Sequence, residues 1–305
     1  MALPEPASLT EGLWYLPAPV NTFIIEGPEG TSILVDTGQD KTYARRLLRT
    51  SRDVLNLEPA AIINTHAHSD HFGGNSWLLR RLPDVRVYAP AGAATVIREP
   101  VLQPLGLWHG ATPLPELLKK WTHGKPSRVD TELGPGTLEV AGVPLTFIDA
   151  AGHARQQLAV QYRDVLIAAD GFAGLELLEK YPLTFSHDPG LMLQSFERLG
   201  QSSARLAVPG HGSPGSPAEL AAANRDAAER VAAAIISALE ERPLTLDKLV
   251  PALLGQLGMS VTDVVRYQLN ASTTAAWLGW LRSTEQVWCG VQDDRLLWSA
   301  RQLPY

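Results

Sequence analysis

The chain has 305 residues, of which 45% are hydrophobic and 19% charged, and its formal net charge is −6 at pH 7. These values describe an ordinary soluble globular chain with room for one large α/β domain and a small second unit, and they give no support to bulk nucleic-acid or membrane-surface binding. Cys289 is the single cysteine, so no disulfide within the chain is expected. No apolar run approaches the ~20 residues of a membrane span, and the start lacks the pattern of a signal peptide. These features predict a cytoplasmic protein.

The first part of the chain predicts an antiparallel meander. Short runs rich in aromatic and β-branched residues occupy 13–16, 21–25 and 31–35, with turn residues between them. The third run ends at Asp36, which in the simplest interpretation caps a helix that begins near Lys41. Further strands and helices alternate along the chain, which favours sheets covered by helices.

A histidine-rich motif follows the apolar run 60–63. His66, His68 and His71 lie with Asp70 within six positions, although only 8 of the 305 residues are histidine. Imidazole is the commonest ligand for zinc, and carboxylate often accompanies it. Residues 66 and 68, two positions apart on an extended loop, cannot point the same way as residues 70 and 71, so the spacing favours two adjacent metals. The alternative, solvated loop histidines with Asp70 as a helix cap, leaves the clustering unexplained.

Three later residues have the same kind of setting. His153, Asp170 and His211 each follow a short apolar run and lie beside a glycine. Strand ends are held by a rigid sheet, and glycine admits close approach of neighbouring groups. These three residues are therefore the candidates for the remaining ligands.

The combined pattern resembles the metallo-β-lactamase superfamily. The H-x-H-x-D-H motif, the later histidine, the aspartate and the final Gly-His-Gly match in order and approximate spacing over roughly residues 12 to 240. The resemblance implies an αββα sandwich of the α/β class and assigns seven metal ligands. They are His66, His68 and His153 for a first metal, Asp70, His71 and His211 for a second, and Asp170 as the bridge. It also gives Asp36 a second interpretation, as a support of the ligand loop from outside the metal shell.

The implied cofactor is a pair of divalent ions. Zinc is the prediction, and iron or manganese also suits histidine and aspartate ligands. In this interpretation a hydroxide that bridges the metals attacks a carbonyl or phosphoryl centre, and Asp70 orients it and carries the proton. The second site lacks the cysteine of the commonest zinc β-lactamases. The ligand set is instead similar to those of glyoxalase II, the lactonases and the ribonuclease branches.

Residues 90–134 form an insertion interrupted by prolines and glycines, with weak helical patches at 93–98 and 116–121. Trp108 and Trp121 make it a candidate wall or lid of a substrate pocket; a surface decoration held by its tryptophans is the alternative. His109 and His123 have no partner pattern and are not predicted ligands. His187, in the segment 175–188 expected to be irregular, is assigned to the surface, with approach to the pocket as the alternative.

We predict a catalytic domain over residues 1–241 and a winged-helix-like domain over 242–305. Helical patterns at 246–257, 262–269 and 272–281 precede a β-hairpin, and similar tails occur in superfamily branches that include the endoribonuclease β-lactamase-like protein 2. From Arg242 onward the chain has six Lys or Arg and five Asp or Glu, and residues 272–281 carry no charge. Since nucleic-acid affinity requires several well-placed cations, we expect a packing or dimerisation module rather than a nucleic-acid interface.

The predicted function is a binuclear metal-dependent hydrolase with glyoxalase II-like chemistry, acting on a small thioester, ester or lactone. The two tryptophans and the absence of a basic cluster favour an apolar acyl or aromatic group. Two enzymatic alternatives stay open: a metal-dependent ribonuclease or phosphodiesterase, and a mononuclear iron sulfur dioxygenase. A non-catalytic binding protein is disfavoured because every ligand position is filled. The expected partner is a small molecule, with no membrane association, and a homodimer is left open.

Overall fold

The first β-sheet, in a computed structural model that describes residues 5–302, has seven strands side by side in chain order. They are β1 (Ala7–Thr10), β2 (Leu13–Leu16), β3 (Thr22–Glu26), β4 (Thr31–Val35), β5 (Glu58–Ile63), β6 (Arg86–Pro90) and β7 (Thr131–Leu133). Neighbours from β1 to β4 are antiparallel, and neighbours from β4 to β7 are parallel. The predicted meander is confirmed, and β1, which was not predicted, extends it.

The second sheet has five strands in the order β12-β11-β10-β9-β8. They are β8 (Gly136–Val140), β9 (Val143–Asp149), β10 (Leu158–Tyr162), β11 (Val165–Ala173) and β12 (Leu206–His211). Strands β11 and β12 pair in parallel, and the remaining neighbours pair antiparallel. Each sheet therefore has adjacent parallel strands whose carboxyl ends lie side by side.

The helices cover the outer faces of the two sheets. They are α1 (Lys41–Arg49), α2 (Ser69–Phe72), α3 (Asn75–Leu79), α4 (Ala91–Arg98), α5 (Leu102–Leu107), α6 (Leu175–Lys180), α7 (Pro189–Gly200), α8 (Pro217–Glu241), α9 (Leu246–Gln256) and α10 (Val264–Ser283). Helix α8 begins with a capping contact, in which Ser216 Oγ accepts a hydrogen bond from the backbone N–H of Glu219. Within the described residues 5–302, no helix is long and apolar enough to cross a membrane.

The central strands bury both of their faces. In β3, Phe23 and Ile25 join the core between the two sheets, whereas Ile24 faces the helices outside the first sheet. In β11, Ile167 faces the other sheet and Leu166 faces the outer helices. Burial on both faces explains why these strands are continuous apolar runs rather than alternating ones. The predicted αββα sandwich is confirmed.

The segments around the sandwich depart from the predictions in three places. The segment expected to be irregular contains the helix α6. The insertion adds α5, strand β7 and a single tight turn at Pro115–Leu118 in place of the helical patch at 116–121. The helices predicted at 262–269 and 272–281 are one continuous helix, α10. Its polar middle does not interrupt it: Asn270 Nδ2 donates to the Arg266 carbonyl and Thr274 Oγ1 donates to the Asn270 carbonyl within the helix.

The C-terminal helices share a hydrophobic core with the second sheet. Trp277 on α10 and Leu253 on α9 belong to the same buried cluster as Phe172 on β11 and Phe196 on α7. A hairpin of β13 (Trp288–Gln292) and β14 (Arg295–Ser299) completes the C-terminal region. Backbone hydrogen bonds between Leu244 and Trp298 join this hairpin to the first residues of the region. Packing of residues after 242 therefore contributes to the stability of the sandwich itself.

This shared core predicts the effect of truncating Trp277. Its side chain is 1% exposed, so Trp277→Ala leaves a large cavity and is expected to lower the free energy of unfolding by about 3–5 kcal/mol. Urea unfolding followed by circular dichroism measures the change. Trp121→Ala is the matched control: Trp121 is 55% exposed, and a change within about 1 kcal/mol is expected there. Equal losses in the two variants would contradict the shared core.

Candidate metal centre

The candidate ligands lie at the carboxyl ends of the parallel strands. The ligand loop leaves β5 at Ile63 and enters the short helix α2, which carries Asp70 and His71. Asp170 lies within β11, and His211 is the last residue of the neighbouring β12. A loop between β9 and β10 provides His153. Each side chain is thus presented from a rigid element or from a short segment anchored at both ends.

The first group of side chains contains His66, His68, His153 and Asp170, each offering one atom within 4.8 Å of the others. The Nε2 of His66 lies 3.1 Å from the Nδ1 of His68, which lies 2.8 Å from the Nε2 of His153. The Nε2 of His153 is in turn 3.1 Å from the Oδ2 of Asp170.

The second group contains Asp70, His71 and His211, whose candidate ligand atoms also lie within 4.8 Å of one another. The Nε2 of His211 is 3.3 Å from the Oδ2 of Asp70 and 3.4 Å from the Oδ2 of Asp170. The other oxygen of Asp170, Oδ1, is 3.3 Å from the Nε2 of His71. The carboxylate of Asp170 therefore contacts both groups. All seven residues singled out in the sequence converge.

Hydrogen bonds outside the cluster orient the imidazole rings. The Nδ1 of His153 donates to the carbonyl of Phe185 over 2.9 Å, and that of His211 donates to the carbonyl of Pro19 over 2.6 Å. Each contact directs the Nε2 atom into the cluster, the arrangement that outer partners impose on metal-binding histidines. His68 is the exception, since its Nδ1 faces the cluster.

Asp36 connects the ligand loop to His71. Its Oδ1 accepts from the backbone N–H of Thr65, and its Oδ2 accepts from the Thr65 hydroxyl and from His71 Nδ1, all at 2.7–2.8 Å. Because the Thr65 hydroxyl donates to Asp36, it accepts from His66 Nδ1 at 3.1 Å. One interpretation expected Asp36 to cap α1. Instead, Asp40 caps this helix by accepting a hydrogen bond from the backbone N–H of Thr42.

The cluster is buried, and its charges perturb one another. Burial tends to raise the pKa of Asp70, but the hydrogen bond from His211 and the charges of His71 and His211 lower it to about 2. Burial tends to lower the pKa of His211, yet Asp170 and Asp70 raise it to about 10. Burial, together with His71 and His68, lowers the pKa of His66 well below its usual range.

The pKa of His71 shifts in the opposite direction from that of His66. Burial alone would lower its pKa, but the carboxylates of Asp170 and Asp36 raise it well above the ordinary value. The carboxylates of the cluster thus demand positive charge, which protons on His71 and His211 supply when no other cation is bound.

The residues fit a divalent metal. The Nε2 of His71 and the Oδ1 of Asp170 are buried and lie 3.3 Å apart, without the geometry of a hydrogen bond to each other or to another group, although buried polar atoms are almost always paired. Distances of 2.8–3.4 Å between the candidate ligand atoms are close to the ~3.3 Å edge of a tetrahedron with metal–ligand bonds of ~2.0 Å. A Cβ on Gly210 would collide with Asp170 Oδ1 and lie 2.8 Å from Cε1 of His71, so glycine there keeps the site open.

The other predicted positions divide into two sets. Trp121 lines the cavity beside the cluster, whereas Trp108, which follows the end of α5, is not among the lining residues. His187 is exposed, with its ring 6.4 Å from that of His68. His109 and His123 belong to neither candidate metal group among the described residues.

Sequence reasoning missed the residues that hold the ligands from outside. Asn21 is 2% exposed, and its side-chain amide donates to the carbonyls of Pro209 and Gly212, on either side of His211, over 2.9 Å. Phe185 packs its ring against those of His68 and His153. The sequence signal available for Asn21 was its position directly before the apolar strand β3. No local pattern in the sequence marks Phe185 as a contact of the ligands.

Comparisons with known proteins agree with this geometry. A family model described as "Metallo-beta-lactamase superfamily" matches residues 15–211. The hydroxyacylglutathione hydrolase of Xylella fastidiosa strain M12 is 28% identical over 187 residues, which are 60% of this chain and 57% of that protein. A linear primary-alkylsulfatase of a Pseudomonas species is 27% identical over 229 residues, covering 64% of this chain and 42% of that protein. The chain thus spans about half the length of these relatives.

Solved structures extend the likeness beyond the matched family region. A metallo-beta-lactamase family protein from Thermus thermophilus is 26% identical and has a TM-score of 0.75. The match covers 95% of this chain and 99% of that one. A beta-lactamase domain protein from Burkholderia ambifaria has the same TM-score of 0.75 at 20% identity, covers 97% of this chain and 93% of that one, and shows a common fold. Both coverages include the residues after 242.

The contacts of Asp36 generate a prediction for metal affinity. In Asp36→Asn the NH₂ group of the new amide would face a donor group of Thr65 or His71, and the substitution removes a negative charge. The affinity for Zn²⁺ should therefore fall about 10–100-fold. Competition with a chromophoric chelator measures this affinity. Asp40→Asn is the matched control, since asparagine also caps helices and residue 40 lies outside the cluster; its affinity should equal that of the wild type. A wild-type affinity in Asp36→Asn would contradict the role of these contacts.

The raised pKa values of His71 and His211 predict proton release on metal binding. The raised pKa values favour the cationic form of both imidazoles in the metal-free site at neutral pH. A metal must displace the extra proton of each ring to reach the nitrogen lone pair. The affinity for Zn²⁺ should therefore rise with pH through the neutral range, by up to about tenfold per pH unit for each proton displaced. Calorimetric titrations at pH 7 in buffers of different ionisation enthalpy measure the release. A binding heat that is independent of the buffer would contradict it.

Proposed function

The chain belongs to the metallo-β-lactamase superfamily, and on this premise we propose that it is a binuclear metal-dependent hydrolase of a small thioester, ester or lactone. The observation that carries the proposal is the position of Asp170, whose two oxygens contact both groups of candidate ligands at 3.1–3.4 Å. The likeness to hydroxyacylglutathione hydrolases, whose name describes cleavage of an acyl thioester, supports the same class of reaction.

The proposed ligands form two sites with one shared member. His66, His68 and His153 would hold one ion, Asp70, His71 and His211 would hold the other, and Asp170 would be a ligand at both sites. Zinc is the proposed metal, because borderline nitrogen ligands dominate the set. When bound, a pair of divalent ions supplies Lewis acidity and makes water nucleophilic at neutral pH.

The protein's own groups would position the attacking water. In the metal-free site, and against the effect of burial, the hydrogen bond from His211 and the charges of His71 and His211 lower the pKa of Asp70 to about 2. Its ionised carboxylate would therefore act as a hydrogen-bond acceptor that orients the water toward an acyl carbon. The contacts of Asp36 and of the carbonyls of Phe185 and Pro19 keep the imidazoles fixed while the reaction proceeds.

The cavity beside the cluster favours an uncharged substrate body. Among the described residues that line it, Arg266 is the single Lys or Arg, and its guanidinium is paired with Asp263. A phosphodiester backbone needs several cations along its path. An ester, thioester or lactone needs none beyond the metal centre.

A substrate panel tests the proposal. The Zn²⁺-loaded protein is assayed on chromogenic thioesters, esters, lactones, phosphodiesters and β-lactams, and we expect turnover of the acyl compounds. His68→Ala should lower kcat/KM by at least about 100-fold, the loss of several kcal/mol of transition-state stabilisation. His109→Ala, an exposed histidine outside the cluster, is the matched control and should retain the wild-type rate.

Metal analysis of the same samples separates the competing interpretations. Two zinc ions per chain in the wild type and fewer in His68→Ala support the proposal. Turnover that survives in His68→Ala would show that it does not come from this site. Hydrolysis restricted to phosphodiesters would replace the proposal with a nuclease, and one iron per chain with oxygen consumption would replace it with a dioxygenase.

A further inference from the structure

A cavity of about 580 Å³ extends from the candidate metal centre into the second half of the molecule. Its first part is polar and includes His153, Asp170 and His211. Beyond them the lining is mostly apolar. Pockets of ~300–1,000 Å³ enclose most of the surface of a small organic ligand, so this cavity can take a substrate arm well beyond the reacting group.

The inner wall of the cavity comes from β11 and α7. Phe172, Met192 and Phe196 line it, and they are 1%, 5% and 3% exposed. All three belong to the hydrophobic core that Trp277 shares. A wall built from core side chains is rigid and closes this end of the cavity.

The outer wall comes from the C-terminal region. Met259 and Val261 precede α10, and Val265 and Leu269 follow on the same face of that helix, four positions apart. All four are half-buried. Val265 and Leu269 are not part of the neighbouring core cluster, so the apolar surface they bury faces the cavity.

Helix α10 is held firmly in this position. Gln268 Nε2 donates to the carbonyl of Leu107 over 2.6 Å, which ties α10 to the insertion. Thr273 Oγ1 accepts from the backbone N–H of Ser186 at 3.4 Å, which ties it to the segment before α7. Trp277 anchors the next turn in the core. The outer wall is therefore formed before any ligand arrives.

Asn224, one of the polar residues that line the cavity, is already hydrogen-bonded within the protein. Both polar atoms of the Asn224 amide bond the backbone of Ala173, and its Nδ2 also donates to the carbonyl of Leu220. Arg266 is 63% exposed and 3.6 Å from Asp263, so it lies at the rim. A polar substrate arm would lose its hydration here without gaining matched partners, whereas an apolar arm gains from burial.

We propose that the substrate carries an unbranched apolar acyl chain, which lies between α7 and α10 with its carbonyl at the candidate metal centre. This assignment of substrate class rests on the proposed hydrolase function. It makes Val265 and Leu269 specificity-determining residues and gives the C-terminal region a part in substrate selection. The proposal places the apolar chain in the acyl half of the substrate, and the acyl and alcohol series described next distinguish this arrangement from an apolar chain on the alcohol.

A chain-length series tests the assignment. Thioesters of one chromogenic thiol with acetyl, butyryl, hexanoyl, octanoyl and decanoyl groups are compared using the Zn²⁺-loaded protein. Until the cavity is filled, kcat/KM should rise about fourfold with each added methylene, which corresponds to about 0.8 kcal/mol per buried methylene. A second series of acetyl esters with lengthening alcohols should show no such rise. A flat acyl series, or a rise in the alcohol series instead, would overturn the assignment.

Two matched variants locate the chain. Leu269→Trp fills the cavity from α10 and should abolish the preference for octanoyl over acetyl, measured as the ratio of the two kcat/KM values. Val264→Trp adds the same indole to a neighbouring residue that is 41% exposed and does not line the cavity; it should keep the wild-type preference. An unchanged octanoyl preference in Leu269→Trp would overturn the placement of the chain against α10.

A binding measurement separates this inference from the proposed function. Octanamide and acetamide, neutral analogues that are not thioesters, are titrated calorimetrically into the metal-free protein. Octanamide should bind with a negative heat-capacity change, and Leu269→Trp should weaken it at least about tenfold, the loss of roughly two methylenes of contact. Binding without turnover of any acyl compound would overturn the hydrolase and retain the apolar cavity as a ligand site. Turnover of acetyl compounds without octanamide binding would overturn the acyl-chain assignment and retain the hydrolase.

Discussion

Buried negative charge is the constraint on which the site depends. Asp36, Asp70 and Asp170 lie in one cluster, and the ion pairs found for them within residues 5–302 are with histidines rather than with lysine or arginine. Buried carboxylates are costly unless a cation compensates them. Protons on His71 and His211 can do so, and a divalent ion does so more completely. The raised pKa values of His71 and His211 and the proposed metal centre are consequences of this one electrostatic demand.

The scaffold meets this demand because contacts between distant segments fix the ligands. Asn21 bonds on both sides of His211, and Asp36 bonds both Thr65 and His71. These contacts join the antiparallel half of the first sheet to the carboxyl ends of the parallel strands. Rigid support of this kind keeps ligand atoms close together despite their mutual repulsion. The same rigidity extends to the apolar cavity, whose walls are the core itself and the anchored helix α10.

The C-terminal region shows how tertiary packing can change the meaning of a local pattern. The sequence predicted a break at residues 270 and 271 between two helices, but the chain forms one helix there, in which Asn270 and Thr274 bond backbone carbonyls. That continuous helix brings Val265 and Leu269 to the cavity and Trp277 to the shared core. The division into a catalytic domain and a winged-helix-like domain stays a prediction, and the two parts have a common core.

The sequence by itself determined the superfamily, the αββα order of the elements and the identities of the seven residues that converge. It could do so because buried strands are continuous apolar runs and because histidines and aspartates at their ends form a rare pattern. Only the tertiary structure decided that Asp36 contacts His71 while Asp40 caps α1, and that Trp121 lines the cavity whereas Trp108 does not. Those outcomes depend on contacts between residues far apart in the chain, which no local spacing records. The apolar wall on α10 is of this kind, since the helix and the metal cluster meet only in the folded protein.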